Sequence, residues 1–475
     1  QEGHAHLMGI GYNLLNVDLM GTLSYSEIID KVKERAAITP KGEWIVGRGW
    51  HQDKWIDQPE RMYRNFPTHH DLSAAVPDHP VILSHASGHM ALANGKAMEL
   101  AGISTETEQP DGGEIFMGMD GPTGIFNETA QRKIWSVVPQ NTEEKARQAL
   151  QLAINECLKN GITSFHDAGS GEIVEVFKAF GEEGKMTIRL YVMLRGDLNY
   201  MSDYFEKGPD IGLYGDHLTI RAVKMAADGA LGSRGAWLIE EYSDAPGEFG
   251  HEVESMTHID SLSRKAYEAG FQVCVHAIGD RANQEVLNLY EELINTGQQE
   301  DPRLRIEHAQ HLHPDDIPRF AALGVIPAFQ AIHMSSDRPW AIDRLGKERI
   351  ENGAYMWQTL LQSGAKIVNG TDAPVEPVNP IPSFYASVSR KTLKGTPDGG
   401  YEPAEKMTRE QALRSYTLDA AYGAFMEDIT GSIEVGKYAD FTILDKDIMT
   451  VPEDEILNAQ VTMTIVDGEI VFEKK

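Results

Sequence analysis

FQVCVHAIGDRANQEVLNLYEELINTG, residues 271–297, reads as one β-strand followed by one α-helix. FQVCVHA (271–277) is a short apolar run rich in β-branched residues that closes on a histidine. Such a run, bounded by turn signals, is strand-like. ANQEVLNLYEELINTG (282–297) is helix-like and stops at a glycine. The same unit recurs on both sides. Strand-like runs lie at ITSFHDA (162–168), MTIRLYVML (186–194), LTIRAVKMA (218–226), RLRIEHA (303–309), GVIPAFQ (324–330) and AKIVNGTD (365–372). Helix-like stretches between them include SMTHIDSLSRKAYEAG (255–270) and HPDDIPRFAALG (313–324). Strand-then-helix repetition argues for a parallel α/β sheet. These seven strands and one more ending near His6 make eight, which favours a closed (β/α)8 TIM barrel over an open sheet.

The chain between His6 and residue 160 is too long for one crossover. It holds two further strand candidates, GEWIVGRGW (42–50) and PVILSHASGHM (80–90), and a long helix signal over 141–161. Residues 8–140 are therefore expected to form a large insertion over the barrel mouth, within a hydrolase unit spanning 1–430. After residue 430 the pattern changes to short strands and turns, with Asp467-Gly468 as a hairpin signal between apolar runs. Residues 431–475 read as a partial small β-sandwich. The chain begins QEGHAHLMGIG, which is not a signal peptide, and an N-terminal piece completing that sandwich is expected to precede it.

Composition narrows the partners. Of 475 residues, 43 are Lys or Arg and 72 Asp or Glu, a net charge of -29. So acidic a surface repels a phosphate backbone, which argues against nucleic acid. No apolar run is long enough for a membrane span. Two cysteines, Cys157 and Cys274, make no disulfide framework and fit a reducing, cytoplasmic compartment. A small-molecule substrate is the expected partner, with a homodimer compatible with the general frequency of small symmetric oligomers.

The chemistry is concentrated at strand ends. His4 and His6 face one side of a strand and can reach one metal ion. His276, His308 and Asp372 each close an apolar run, at the end of a barrel strand where catalytic groups gather. Alone, each of these has an ordinary structural reading; together they point to a metal site. Lys224 lies inside the apolar LTIRAVKMAADG and needs a reason, because an unpaired buried ammonium is costly. Either it pairs with a carboxylate such as Asp228, or it carries CO2 as a carbamate, an anion able to bridge two cations. Nitrogen and oxygen donors without thiolate suit Zn2+, with Mn, Fe or Co open. Four histidines, one aspartate and a modified lysine exceed one tetrahedral ion and suit a binuclear site, so one or two ions per chain are expected. Asp372 then serves as base as well as ligand.

These residues resemble the amidohydrolase superfamily, and within it the YtcJ-like group that includes N-substituted formamide deformylases. The subgroup resemblance rests on GRGWHQDKW (47–55), SHASGHMALAN (84–94), VKMAADGALGSRGA (223–236), VHAIGDRAN (275–283) and IEHAQ (306–310). The tail GSIEVGKYADFTILD (431–445) resembles the segment that returns from the barrel to the superfamily's sandwich. The resemblance implies that His4, His6 and Asp372 hold one ion, that His276 and His308 hold another, and that Lys224 bridges them. It implies a metal-dependent hydrolase of non-peptide C–N (amide) bonds, in which metal-activated hydroxide attacks a carbonyl. His89 would assist the carbonyl oxygen, Trp50 and His166 would line the pocket, Arg234 would meet a substrate anion, and Gln310 would orient His308. A hydrolytic deaminase of a ring, a cyclic-amide or ester hydrolase, and a non-catalytic small-molecule-binding barrel are the alternatives.

Overall fold

Eight parallel strands run in chain order around the barrel of a computed structural model: Glu2–Ala5, Ser164–Ser170, Arg189–Leu194, Leu218–Ala226, Gln272–Ala277, Arg305–His308, Ile326–Phe329 and Val368–Asn369. We number them barrel strands 1 to 8. The described residues are 1–475 except 86–89, 111, 140 and 141, and the side chain of residue 53. Each strand pairs with the next in register, and the ring closes through backbone bonds beyond strand 8. Asp372 N–H donates to the His4 carbonyl at 2.8 Å, and His6 N–H to the Ala373 carbonyl at 2.7 Å.

That closure depends on two glycines. A Cβ on Gly3 would stand 2.5 Å from the Asn369 carbonyl oxygen, and one on Gly370 would stand 2.4 Å from Glu2 Oε1. Glu2 fills the space so left. Its carboxylate accepts N–H bonds from His4 and Thr371 and the Thr371 hydroxyl, so strands 1 and 8 are tied by a side chain as well as by backbone. Burial pushes this carboxyl up to about 7, with those donors opposing the shift.

The helices form for local reasons. Ser255 caps Met256–Glu268 by accepting the His258 N–H at 3.3 Å. Asp280–Asn295 buries Val286, Leu287, Tyr290 and Leu293, a spacing that sets one face against the barrel. Burying each such side chain contributes about 1.5–3 kcal/mol. Asn283 donates to the carbonyls of Ala277 and Gly279, which fixes the end of strand 5 to the helix that follows it.

By contact density the chain divides into Gln1–Ile10 with Leu150–Lys475, and Gly11–Ala149. The second unit has its own six-stranded sheet, in the order Val17–Asp18, Ile45–Trp50, Val81–His85, Met90–Ala93, Gly121–Glu128, Gly113–Gly118. Its first three strands are parallel and the rest antiparallel. Val32, Trp50, Leu83 and Ile125 lie in its core. The long helix signal is realised as Glu143–Lys159.

Near the C-terminus, Phe441–Leu444, Val461–Val466 and Glu469–Glu473 form a three-stranded antiparallel sheet. Asp467 and Gly468 both have positive φ, as a two-residue hairpin turn requires. Arg189, fully buried at the start of strand 3, donates to Asp440 and Asp467 and holds this sheet to the barrel. Among the described residues, no helix is long and apolar enough to cross a membrane.

Candidate metal centre

Barrel strands 1, 5 and 6 and the segment after strand 8 bring four histidines and one aspartate together. The His4 ring lies 4.8 Å from that of His308 and 5.9 Å from that of His6, and the His308 ring lies 4.4 Å from that of His276. Asp372 Oδ1 is 3.2 Å from His6 Nε2 and 3.6 Å from His4 Nε2. Donor atoms of His4, His308 and Asp372 all fall within 4.8 Å of one another, and all three residues are buried.

Two of these ligand candidates owe their direction to an unusual backbone. Simple alternation would point His308 away from the side that Glu307 faces. Yet both side chains reach His4. His308 has φ +76 and Asp372 φ +57, left-handed conformations that swing both side chains into the mouth. Conformations of this kind persist where the surrounding structure over-determines them, and they cluster at functional sites.

The electrostatics favour a cation. Burial lowers the imidazoles of His4, His276 and His308, which favours the neutral form that keeps a lone pair for a metal. Burial alone would raise Asp372, but His6, His308 and His4 more than reverse it and hold it ionised, far below the ordinary carboxylate range. His4 Nε2, His276 Nε2 and Asp372 Oδ1 are buried with no hydrogen-bond partner. Unpaired buried acceptors are costly, and a divalent cation between neutral imidazoles and a carboxylate satisfies them. The residues present thus fit such an ion.

Their tautomers are set from behind. Glu307 meets His4 Nδ1, and Gln330 Oε1 lies 2.6 Å from His308 Nδ1. The support expected from Gln310 comes instead from Gln330; Gln310 donates to the Tyr355 hydroxyl.

Lys224 is buried on strand 4, and burial lowers its ammonium. Among the described residues no carboxylate lies within ion-pair distance of it. Asp228 is not its partner: its oxygens accept the N–H groups of Trp237, Ile278 and Gly279, and Oδ1 lies 3.5 Å from His276 Nε2.

The remaining sequence candidates have other surroundings. Trp50 is fully buried in the insertion core and donates to the Leu83 carbonyl. His166 is fully buried with Nδ1 3.0 Å from Arg305. Arg234 donates two bonds to Asp244 and pins its own loop. His89 lies outside the described residues. His333 is a site residue that the sequence did not mark. His333 stacks on His308 with ring centroids 6.1 Å apart, and its Nε2 is 3.8 Å from Asp372 Oδ2. It sits in the first turn of the helix after strand 7, with no apolar run ending on it to mark it.

The model of the Amidohydrolase family matches residues 1–472. The chain belongs to that family. It is 34% identical over its whole length to YtcJ of Bacillus subtilis (strain 168), covering 88% of that protein. It is 27% identical, again over its whole length, to an N-substituted formamide deformylase of Arthrobacter pascens, covering 87% of it. Among solved structures, an uncharacterized metal-dependent hydrolase from Pyrococcus furiosus superposes with a TM-score of 0.76 at 29% identity, over 94% of this chain and 86% of that one. Family, fold and ligand cluster together make this chain a metal-dependent hydrolase.

Proposed function

We propose that this enzyme hydrolyses a C–N bond outside a peptide backbone, with N-substituted formamides as the first class to try. The formamide class comes from the Arthrobacter relative's name. The reaction type is supported above all by the convergence of His4, His6 and His333 Nε2 on Asp372, those of His4 and His333 having no hydrogen-bond partner. His4, His6, His308 and Asp372 would hold a divalent ion there, Zn2+ being the best match to the donors, and such an ion would supply Lewis acidity for a carbonyl and lower the pKa of water.

The chain's own residues do the rest. The surrounding imidazoles favour the carboxylate form of Asp372, so it can take a proton from the attacking water. A C–O bond forms, the C–N bond breaks, and Asp372 returns the proton to the departing nitrogen. His333, on the Oδ2 side of Asp372, bounds the space in which that transfer occurs. His89 remains the proposed helper for the carbonyl oxygen. Lys224, buried without a carboxylate partner among the described residues, is resolved if it adds CO2. The resulting carbamate would join His276 in holding a second ion.

One observation favours a second reading, hydrolytic deamination of a ring. Asp228 places a carboxyl, pushed up to about 7 by burial, beside His276. Three backbone N–H groups already occupy that carboxyl, so amide hydrolysis stays first.

The test is a turnover screen of metal-loaded protein on formamides, acyl amides, cyclic amides and aminated rings. Formate and amine released from a formamide would support the leading reading. Ammonia released only from ring amines would move the chain to the deaminases. Protein with stoichiometric metal that turns over none of them would contradict both.

A further inference from the structure

Strand 6 carries an ion pair inside the barrel. Arg305 and Glu307 are both fully buried and lie two residues apart, hence on the same side of the strand. Arg305 donates to both carboxylate oxygens, through Nε to Oε1 at 2.7 Å and through Nη2 to Oε2 at 2.9 Å. The same guanidinium donates to the Gly3 carbonyl at 2.8 Å and stands 3.0 Å from His166 Nδ1. A buried pair of this kind adds little stability over well-packed apolar groups. Its presence in the core therefore calls for a use, and the group it touches is His4.

We propose that Glu307 is a positioning residue for the metal centre: it accepts the Nδ1–H of His4 and so presents Nε2 to the ion, while Arg305 holds the carboxylate in place. The assignment rests on the reading of His4 as a ligand. Glu307 reaches across the barrel interior from strand 6 to strand 1, so the contact fixes the ring's rotation as well as its tautomer. Two guanidinium N–H donors, one on each carboxylate oxygen, favour the charged form of Glu307. An anionic acceptor makes the imidazole a stronger donor to a cation.

His308 is supported differently. Gln330 offers it a neutral amide oxygen, and the Gln330 amide nitrogen donates to the Ala328 carbonyl at 3.2 Å, which fixes the amide's direction. The two ligands thus have unequal backing, and His4 has the charged one. In RLRIEHA the two charges read as part of an apolar strand, so the sequence reading passed over them.

The test measures Zn2+ affinity by competition with a chelating dye, and the visible spectrum of the Co2+ form. Glu307→Gln removes the anion and, with its carbonyl on the His4 side, turns an NH2 donor toward the Arg305 Nε–H. It also leaves Arg305 unpaired, so a second variant, R305M/E307Q, replaces the pair with uncharged groups and keeps the core neutral. Both are expected to bind Zn2+ about 10- to 100-fold more weakly than the unaltered chain, with a shifted Co2+ spectrum. The double variant should keep its circular dichroism. Double-variant protein that binds Zn2+ as tightly as the unaltered chain, with the same Co2+ spectrum, would overturn the proposal. An unaltered chain that binds no divalent ion would instead overturn the ligand reading beneath it.

Discussion

The N–H of Asp372 donates to the carbonyl of His4 at 2.8 Å, so one backbone bond both closes the barrel and sets two ligand candidates side by side. The site is therefore not an ornament on a finished barrel. It lies on the seam where the last strand meets the first.

Gly370 makes that seam possible, and replacing it should damage fold and site together. A Cβ there would stand 2.4 Å from Glu2 Oε1 and 2.6 Å from His4 N, both buried. Gly370→Ala is expected to destabilise by at least the roughly 1–3 kcal/mol of an overpacked core, and to lower metal content. Urea unfolding and metal analysis of the same preparation check it.

Asp372→Ala separates the two roles of that residue. The histidines remain, so the protein should still take up metal, more weakly than before. Turnover per bound metal should fall by about 10²–10⁴-fold, the usual contribution of a positioned acid–base group. An equal kcat per bound metal would remove Asp372 from the proton path.

Lys224→Met removes a buried ammonium for which no carboxylate is in reach among the described residues. The metal-free variant is expected to be more stable than the unaltered chain by about 1–3 kcal/mol, because an unpaired buried polar group is lost. It should also lose turnover. In the unaltered protein, removal of CO2 should lower activity and bicarbonate should restore it. A carbamate signal from 13C-labelled bicarbonate, absent in the variant, reads the modification directly.

Asp228 gives a pH dependence with a definite sign. Burial pushes its folded value to about 7, above the ordinary 3.8. The folded chain therefore keeps a proton that the unfolded chain releases between those values. The stabilisation is full below pH 3.8 and is lost as pH rises through about 7. Metal-free protein should lose stability across that window, with a slope of at most about 1.4 kcal/mol per pH unit from this group. Asp228→Asn should remove that part of the slope, as measured by urea unfolding at several pH values.

The barrel was legible because each of its strands is a short apolar run, and the ligand candidates because each polar group ends one. Nothing comparable marks His333, which follows a strand by one helical turn, or Glu307, which lies inside a strand that reads as apolar. The resemblance over IEHAQ implied Gln310 as the support for His308, two residues away. The positive φ at His308 turns its ring toward strand 7, where Gln330 waits. Such contacts depend on neighbouring strands and local backbone, which a linear reading of periodicity does not carry. Trp50 shows the same limit: a tryptophan in GRGWHQDKW reads equally as pocket wall or core, and its indole is in the core.

His4, His308 and Asp372 are expected to hold a divalent ion. Anomalous diffraction from crystals of Zn2+- or Co2+-loaded protein tests it most directly. The expected result is a peak about 2.0–2.2 Å from His4 Nε2, His308 Nε2 and an Asp372 oxygen. Protein loaded with stoichiometric metal that shows no peak among these three residues would contradict it.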